Sequence, residues 1–225
     1  MADLPPDLCR EIDRLLADVD LAAAYQDYRW KADSWMGGFP GIRTLEWTLS
    51  NAARQNRLGY LHAMNVAIWG GLPDPLGIRC ERILDLPLYA NGAPAPALAE
   101  NADALMEGLQ GQIRGFGPVY CSKMLRFAVP SVFGALDTPL VRAFGADGGI
   151  CRLIDLRAEP SDPGDWPAAF RTWTLVLHRI AGTLNAGGIE CPHPASMIAS
   201  GLREPGVWLP ADVGMALFSR ASRRG

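Results

Sequence analysis

Residues 113–144 read IRGFGPVYCSKMLRFAVPSVFGALDTPLVRAF. Gly115-Phe116-Gly117 is a turn signal, because glycine takes φ > 0 and lets backbone amides approach a neighbour closely. Residues 119–129 follow as a helical run that stops before Pro130. Asp137-Thr138-Pro139 then reads as N-cap, N1 and N2 of the next helix, where proline is tolerated. Lys123 and Asp137 stand in this apolar stretch. An ammonium between Cys121 and Leu125 is costly unless paired, so its presence requires a reason.

Helical signals dominate on either side. Residues 7–24 place Leu8, Ile12, Leu15, Leu16 and Val19 on one stripe. Residues 45–69 form a long amphipathic stretch that ends in Gly70-Gly71 and Pro73. A short helix fits within 75–88, a loop over 91–96, and a helix over 97–109 that ends by Gly111. Residues 159–167 are a loop rich in proline and acid, 168–184 are helical, and 187–194 break the chain. A short helix over 194–200 and a final one from Pro210 to about residue 220 complete the pattern. The weak strand-like stretches are 152–156 and 207–209. The fold class expected is all-α or nearly so, in a single unit. An N-terminal helical lobe would cover about 1–90 and a hairpin and catalytic region about 97–225.

With 225 residues, 49% of them hydrophobic and 20% charged, the chain can bury a sizeable core. Its acidic, amphipathic start lacks the basic and apolar regions of a secretory signal, and no run approaches membrane-spanning length. A cytoplasmic protein is the expectation. Five scattered cysteines, never in a C-x-x-C pair, signal neither disulfides nor a metal cluster and read as reduced, mostly buried thiols. His62, His178 and His193 lack ligand spacing and read as structural, so no metal or cofactor is expected. A net charge of −3 argues mildly against indiscriminate nucleic-acid binding.

Taken in order, a glycine hairpin, a packed helix and an aspartate opening the next helix resemble the helix-hairpin-helix GPD superfamily of DNA glycosylases and lyases. Asp137 follows Gly115 at the separation typical of that family. The resemblance implies a two-lobed helical glycosylase fold and a hairpin, Gly115-Phe116-Gly117, that grips the DNA backbone, with Val119 and Arg142 beside it. It places Asp137 on the catalytic aspartate. Bifunctional members carry a Schiff-base lysine two residues after the second hairpin glycine, and here that residue is Val119. Lys123, one helical turn further on the same face, is the substitute nucleophile, or else it pairs with Asp137 or reaches a phosphate.

A second likeness lies in Met215-Ala216-Leu217-Phe218-Ser219, similar to A-V-L-F-S in the last helix of the 8-oxoguanine glycosylase branch. Phe218 matches the phenylalanine that stacks on the extruded base, with a core aromatic as the other reading. Gly214 stands where the branch has a glutamine that hydrogen-bonds the oxidised purine, which implies a wider pocket. The two likenesses span roughly the C-terminal half of the fold.

Such an enzyme flips a modified base out of double-stranded DNA and excises it. It would act as a monomer, cytoplasmic and nucleoid-associated when bound. Residues 113–157 are locally basic, with Arg114, Lys123, Arg126, Arg142, Arg152 and Arg157 against Asp137, Asp147 and Asp155. Arg220, Arg223 and Arg224 add a basic tail. Tyr25, Tyr28, Trp30, Trp35 and Phe39 crowd together upstream, and Trp35 sits in a loop. These aromatics either line the base pocket, wedge into the stack, or pack the N-terminal lobe. The other function classes open to the chain are a non-catalytic helix-hairpin-helix DNA-binding module and a helical protein-interaction domain.

Overall fold

The computed structural model describes residues 4–80, 83–158 and 162–223 and is mostly helical. The helices are α1 (Pro6–Asp18), α2 (Leu21–Gln26), α3 (Pro40–Arg54), α4 (Tyr60–Gly70), α5 (Ala102–Gln112), α6 (Pro118–Ala128), α7 (Thr138–Phe144), α8 (Trp166–Ala186), α9 (Ala195–Ala199) and α10 (Pro210–Ser222). Among the described residues six two-residue strands pair antiparallel: β1 (Arg29–Trp30) with β2 (Asp33–Ser34), β3 (Arg79–Cys80) with β6 (Ile113–Arg114), and β4 (Tyr89–Ala90) with β5 (Ala93–Pro94).

Several boundaries differ from the sequence reading, each for a local reason. The 7–24 stripe divides because Asp20 caps a new helix, its carboxylate accepting from the Ala23 amide. The 45–69 stretch divides because Asn56 takes a left-handed conformation (φ 51°) after α3. Among the described residues of 75–88 the one helical piece is a 3-10 turn, Pro75–Gly77, before β3. The helix expected from 97 begins at Ala102, since Ala97 is left-handed (φ 60°). Neither 152–156 nor 207–209 is a strand; the strands form where short turns bring close segments together, or where β3 reaches β6. Arg224 and residues 159–161 lie outside the described residues.

The α6 helix is central. Cys121 to Ala128 are all buried, because α3, α4, α5 and α8 pack around it. Gly117 precedes it as N-cap, Pro118 supplies the first helical residue, and Pro130 prevents extension. The α10 helix packs on α2, α7 and α8, so the first 26 residues join the C-terminal helices, and the packing does not divide near residue 90. One continuous apolar core results. Of the five free cysteines, Cys121 and Cys191 are buried while Cys9, Cys80 and Cys151 are half-buried. Among the described residues no helix is long and apolar enough to cross a membrane.

Candidate functional site

A helix, a glycine loop and a second helix occur in the expected order. The β3–β6 pair sets Arg79 opposite Arg114 and Cys80 opposite Ile113, bringing Gly77 against the loop. Gly115 is left-handed (φ 77°), and a Cβ there would stand 3.3 Å from the Gly77 carbonyl oxygen, so glycine is required. Gly117 is exposed with ordinary φ, and a Cβ there would meet nothing. Among the described residues, the Gly117 and Val119 amides donate to no protein acceptor and stand at the positive end of α6. Phe116 is only 3% exposed and its ring packs on Tyr120, so its side chain belongs to the fold.

One helical turn beyond Val119, Lys123 is 6% exposed and Asp137 is 8% exposed. Lys123 Nζ lies 3.9 Å from Asp137 Oδ2. Asp137 is also the N-cap of α7, its Oδ1 accepting from the Leu140 amide at 3.5 Å. The pair is aligned by Ser122, whose hydroxyl oxygen lies 2.8 Å from both the Val119 and Leu136 carbonyl oxygens and accepts from the Leu136 amide at 3.0 Å.

Three rings surround the ammonium: Trp30 and Tyr120 with centroids 5.4 Å from Nζ, and Trp69 at 5.9 Å. Their placement rests on Asp33, a buried carboxylate that accepts from Trp69 Nε1 at 2.7 Å and from the Gly41 and Ile42 amides that open α3. Trp30 Nε1 in turn donates to the Trp69 carbonyl at 3.0 Å. Burial lowers the Lys123 pKa; Asp137 opposes this, and Lys31 at the rim adds to it. Burial raises the Asp137 pKa, against the lowering effects of Lys123 and the Leu140 amide.

This pair borders a cavity of about 30 Å³, room for a water molecule. Tyr28, Trp30, Trp69, Met215 and Phe218 supply its walls. Phe218 stands edge-on to Trp30 at 6.0 Å and 5.6 Å from Tyr28, in the wall of the cavity. The upstream aromatics therefore separate: Tyr28 and Trp30 reach the cavity, whereas Tyr25 and Phe39 are core. Trp35 is corrected as a cavity residue, since its indole donates to the Pro192 carbonyl and it is absent from the cavity wall. Gly214 borders the cavity, yet its Cβ direction points at Gly134, Leu177 and Ala135, so the position also serves close helix packing.

Trp69, Tyr120, Lys31 and Glu46 escaped the sequence reading. Glu46 is fully buried on α3, bonded to Arg203 at 2.6 and 2.8 Å and in ion-pair contact with Arg126 at 2.6 Å. Burial alone would raise its pKa, but Arg203 and Arg126 outweigh that and hold it below the usual value. An acidic residue amid α3 apolar positions was the one available signal.

The basic surface is narrower than the sequence count. Lys123 and Arg126 are buried, while Arg152 pairs with Asp155, Arg157 with Asp147, and Arg223 with Asp27. Arg114 and Arg142 are exposed near the hairpin and α7.

His62 accepts from the Gly59 amide, and His178 faces the Val132 carbonyl at 2.9 Å. Cys191, His193 and Asp212 come together, buried, with ligand atoms within 4.8 Å of one another. Asp212 there already accepts two bonds from Arg203 at 2.9 Å, and His193 Nε2 lies 2.8 Å from the Val207 carbonyl. The Cys191 thiol is pushed well up by burial, so it is not a ready thiolate ligand.

No protein-family description, curated protein or solved structure matches the chain.

Proposed function

We propose that this protein is a DNA glycosylase that extrudes a modified base into the aromatic cavity and cleaves its bond to the sugar. The observation that carries the reading is the buried Lys123–Asp137 pair beside an aromatic cavity, on the helix whose N-terminus is the glycine hairpin. The resemblance to the helix-hairpin-helix GPD superfamily, and to its 8-oxoguanine branch at Phe218, supports it further.

In this reading a phosphate approaches the free amides of Gly117 and Val119, which sets the register of the strand. The sugar of the flipped nucleotide comes to Lys123 and Asp137. As the base departs with the bonding electrons, C1′ becomes cationic, and the Asp137 carboxylate stabilises it in a site poor in water. Neutral Lys123 then attacks C1′; the nitrogen sheds a proton and the sugar ring opens to a Schiff base. Depression of the amine pKa by burial favours the neutral form. The cavity is too small for a base, so entry requires the walls to part.

The test is excision from duplexes that each carry a different modified base, scored separately for abasic sites and strand breaks. Wild type should release at least one base, and Asp137→Asn should release none. Absence of release from every duplex, or full release by folded Asp137→Asn, rejects the proposal.

A further inference from the structure

Beside the catalytic pair, Arg126 lines the same cavity, and its Nη2 is met there by a thioether. Arg126 is 3% exposed and lies one turn past Lys123 on α6. Nη1 is ion-paired with Glu46 Oε1 at 2.6 Å, though out of line for a hydrogen bond, and the guanidinium carbon lies 4.4 Å from the Phe127 ring centroid. Nη2 is 3.2 Å from the Met215 sulfur, a weak acceptor. Glu46 itself is already bonded to Arg203 through both oxygens. A guanidinium is always charged and cannot escape this poverty of acceptors by losing a proton. Leaving a buried charged donor so poorly matched is unfavourable unless an occupant completes it.

Met215 is the side chain able to move. It is unbranched, flexible and part of the cavity wall, so its thioether can swing away as an occupant enters. The atom that replaces the sulfur must accept a hydrogen bond from a cation.

We infer that Arg126 is a specificity-determining residue that reads the edge of the extruded base, donating from Nη2 to a ring carbonyl and rejecting an exocyclic amine at that place. This rests on the glycosylase reading above. Carbonyl oxygen is a strong acceptor for a charge-assisted bond, whereas an amino group would set donor against donor. The site therefore takes oxo-substituted bases in preference to their amino counterparts. The position matched by Gly214 lacks the amide of the 8-oxoguanine branch, and Arg126 supplies a polar group from a different helix.

Hypoxanthine and adenine form the test pair, since a carbonyl in one replaces the amine of the other. A duplex carrying a tetrahydrofuran abasic analogue is first bound to the protein, and each free base is then titrated in while tryptophan fluorescence is followed. Hypoxanthine should bind wild type at least about tenfold more tightly than adenine, as a hydrogen bond to a charged group permits. Arg126→Met should bring the two affinities within about twofold. Arg126→Lys keeps a cation beside Glu46, should fold where the methionine variant does not, and should also lose most of the selectivity because its ammonium cannot reproduce the planar fork. The ratio of two bases on one protein is insensitive to a general loss of stability. Equal binding by wild type, selectivity that survives in the folded variants, or failure of either base to bind a formed complex overturns the role of Arg126. Failure to bind the duplex at all overturns the glycosylase reading, and this inference with it.

Discussion

Ser122 holds Leu136 by both backbone polar groups, with its Oγ 3.0 Å from the amide nitrogen and 2.8 Å from the carbonyl oxygen. The sequence neighbours of these two residues are Lys123 and Asp137, so one buried hydroxyl fixes the register between the amine and the carboxylate. Ser122→Ala leaves buried groups of Leu136 unpaired and should cost about 1–3 kcal/mol in urea unfolding. Excision should fall further than DNA binding does, because the pair loses its alignment while the hairpin is untouched. A variant that unfolds and excises like wild type would show that the clasp positions nothing.

Asp137→Asn preserves the shape and the helix cap and removes the charge. Excision should drop by at least about a hundredfold, as for loss of one preorganised electrostatic group. Gel-shift affinity for substrate duplex should stay close to that of wild type. An active Asp137→Asn protein would assign the chemistry elsewhere.

Lys123 is tested by trapping with borohydride on substrate DNA. Wild type should cross-link and Lys123→Gln should not, with strand cleavage lost alongside. Trapping requires the neutral amine, so it should increase with pH and reach half its maximum below the ordinary lysine value of 10.5, since burial depresses the pKa. Cleavage by Lys123→Gln at the wild-type rate would exclude both a nucleophilic role and a role in organising Asp137.

The same pair bears on stability. In Lys123→Met the carboxyl loses its cation, and burial then raises the Asp137 pKa against the Leu140 amide alone. Above the ordinary value near 3.8 the unfolded chain has released a proton that the folded chain still holds, so folding stability falls as pH rises towards the folded pKa. Urea midpoints for this variant should be lower at pH 8 than at pH 5. Replacing both charges, in Lys123→Met with Asp137→Asn, should remove that dependence and equal or exceed wild-type stability, since a desolvated pair gives back much of its attraction. A pH-independent single variant would contradict the burial argument.

Gly117→Val tests the proposed phosphate contact separately from the fold. Its Cβ meets no protein atom, and its φ of −64° suits any residue, so the fold should be unchanged. The added bulk stands where a phosphate would approach, so affinity should fall by a similar factor for every duplex sequence, with little change in salt dependence. Gly115→Val, by contrast, should destabilise the fold itself, since its φ is 77°. Loss of binding confined to particular sequences would argue for base contacts at the hairpin instead.

Local chemistry determined what the sequence disclosed. The Asp137 cap, the start of α6 at Pro118 and the turn at Gly115 each depend on residues within a few positions, so the helix-loop-helix core and the two buried charges were legible directly. The breaks at Val19-Asp20 and Asn56 were not, because an uninterrupted apolar stripe hides a cap or a left-handed residue that lies within it.

Only the tertiary structure decided which rings enclose Lys123 and which partners Arg126 meets. Trp30 and Trp35 look alike in sequence, but the β1–β2 turn sends the first to the cavity while the second bonds Pro192, 157 positions away. Glu46 likewise finds Arg203 at a separation of 157 residues, and the same carboxylate pairs with Arg126, whose Nη2 faces Met215. Which partners a buried charge meets is settled by the packing of remote helices, and no pattern of neighbours along the chain encodes them.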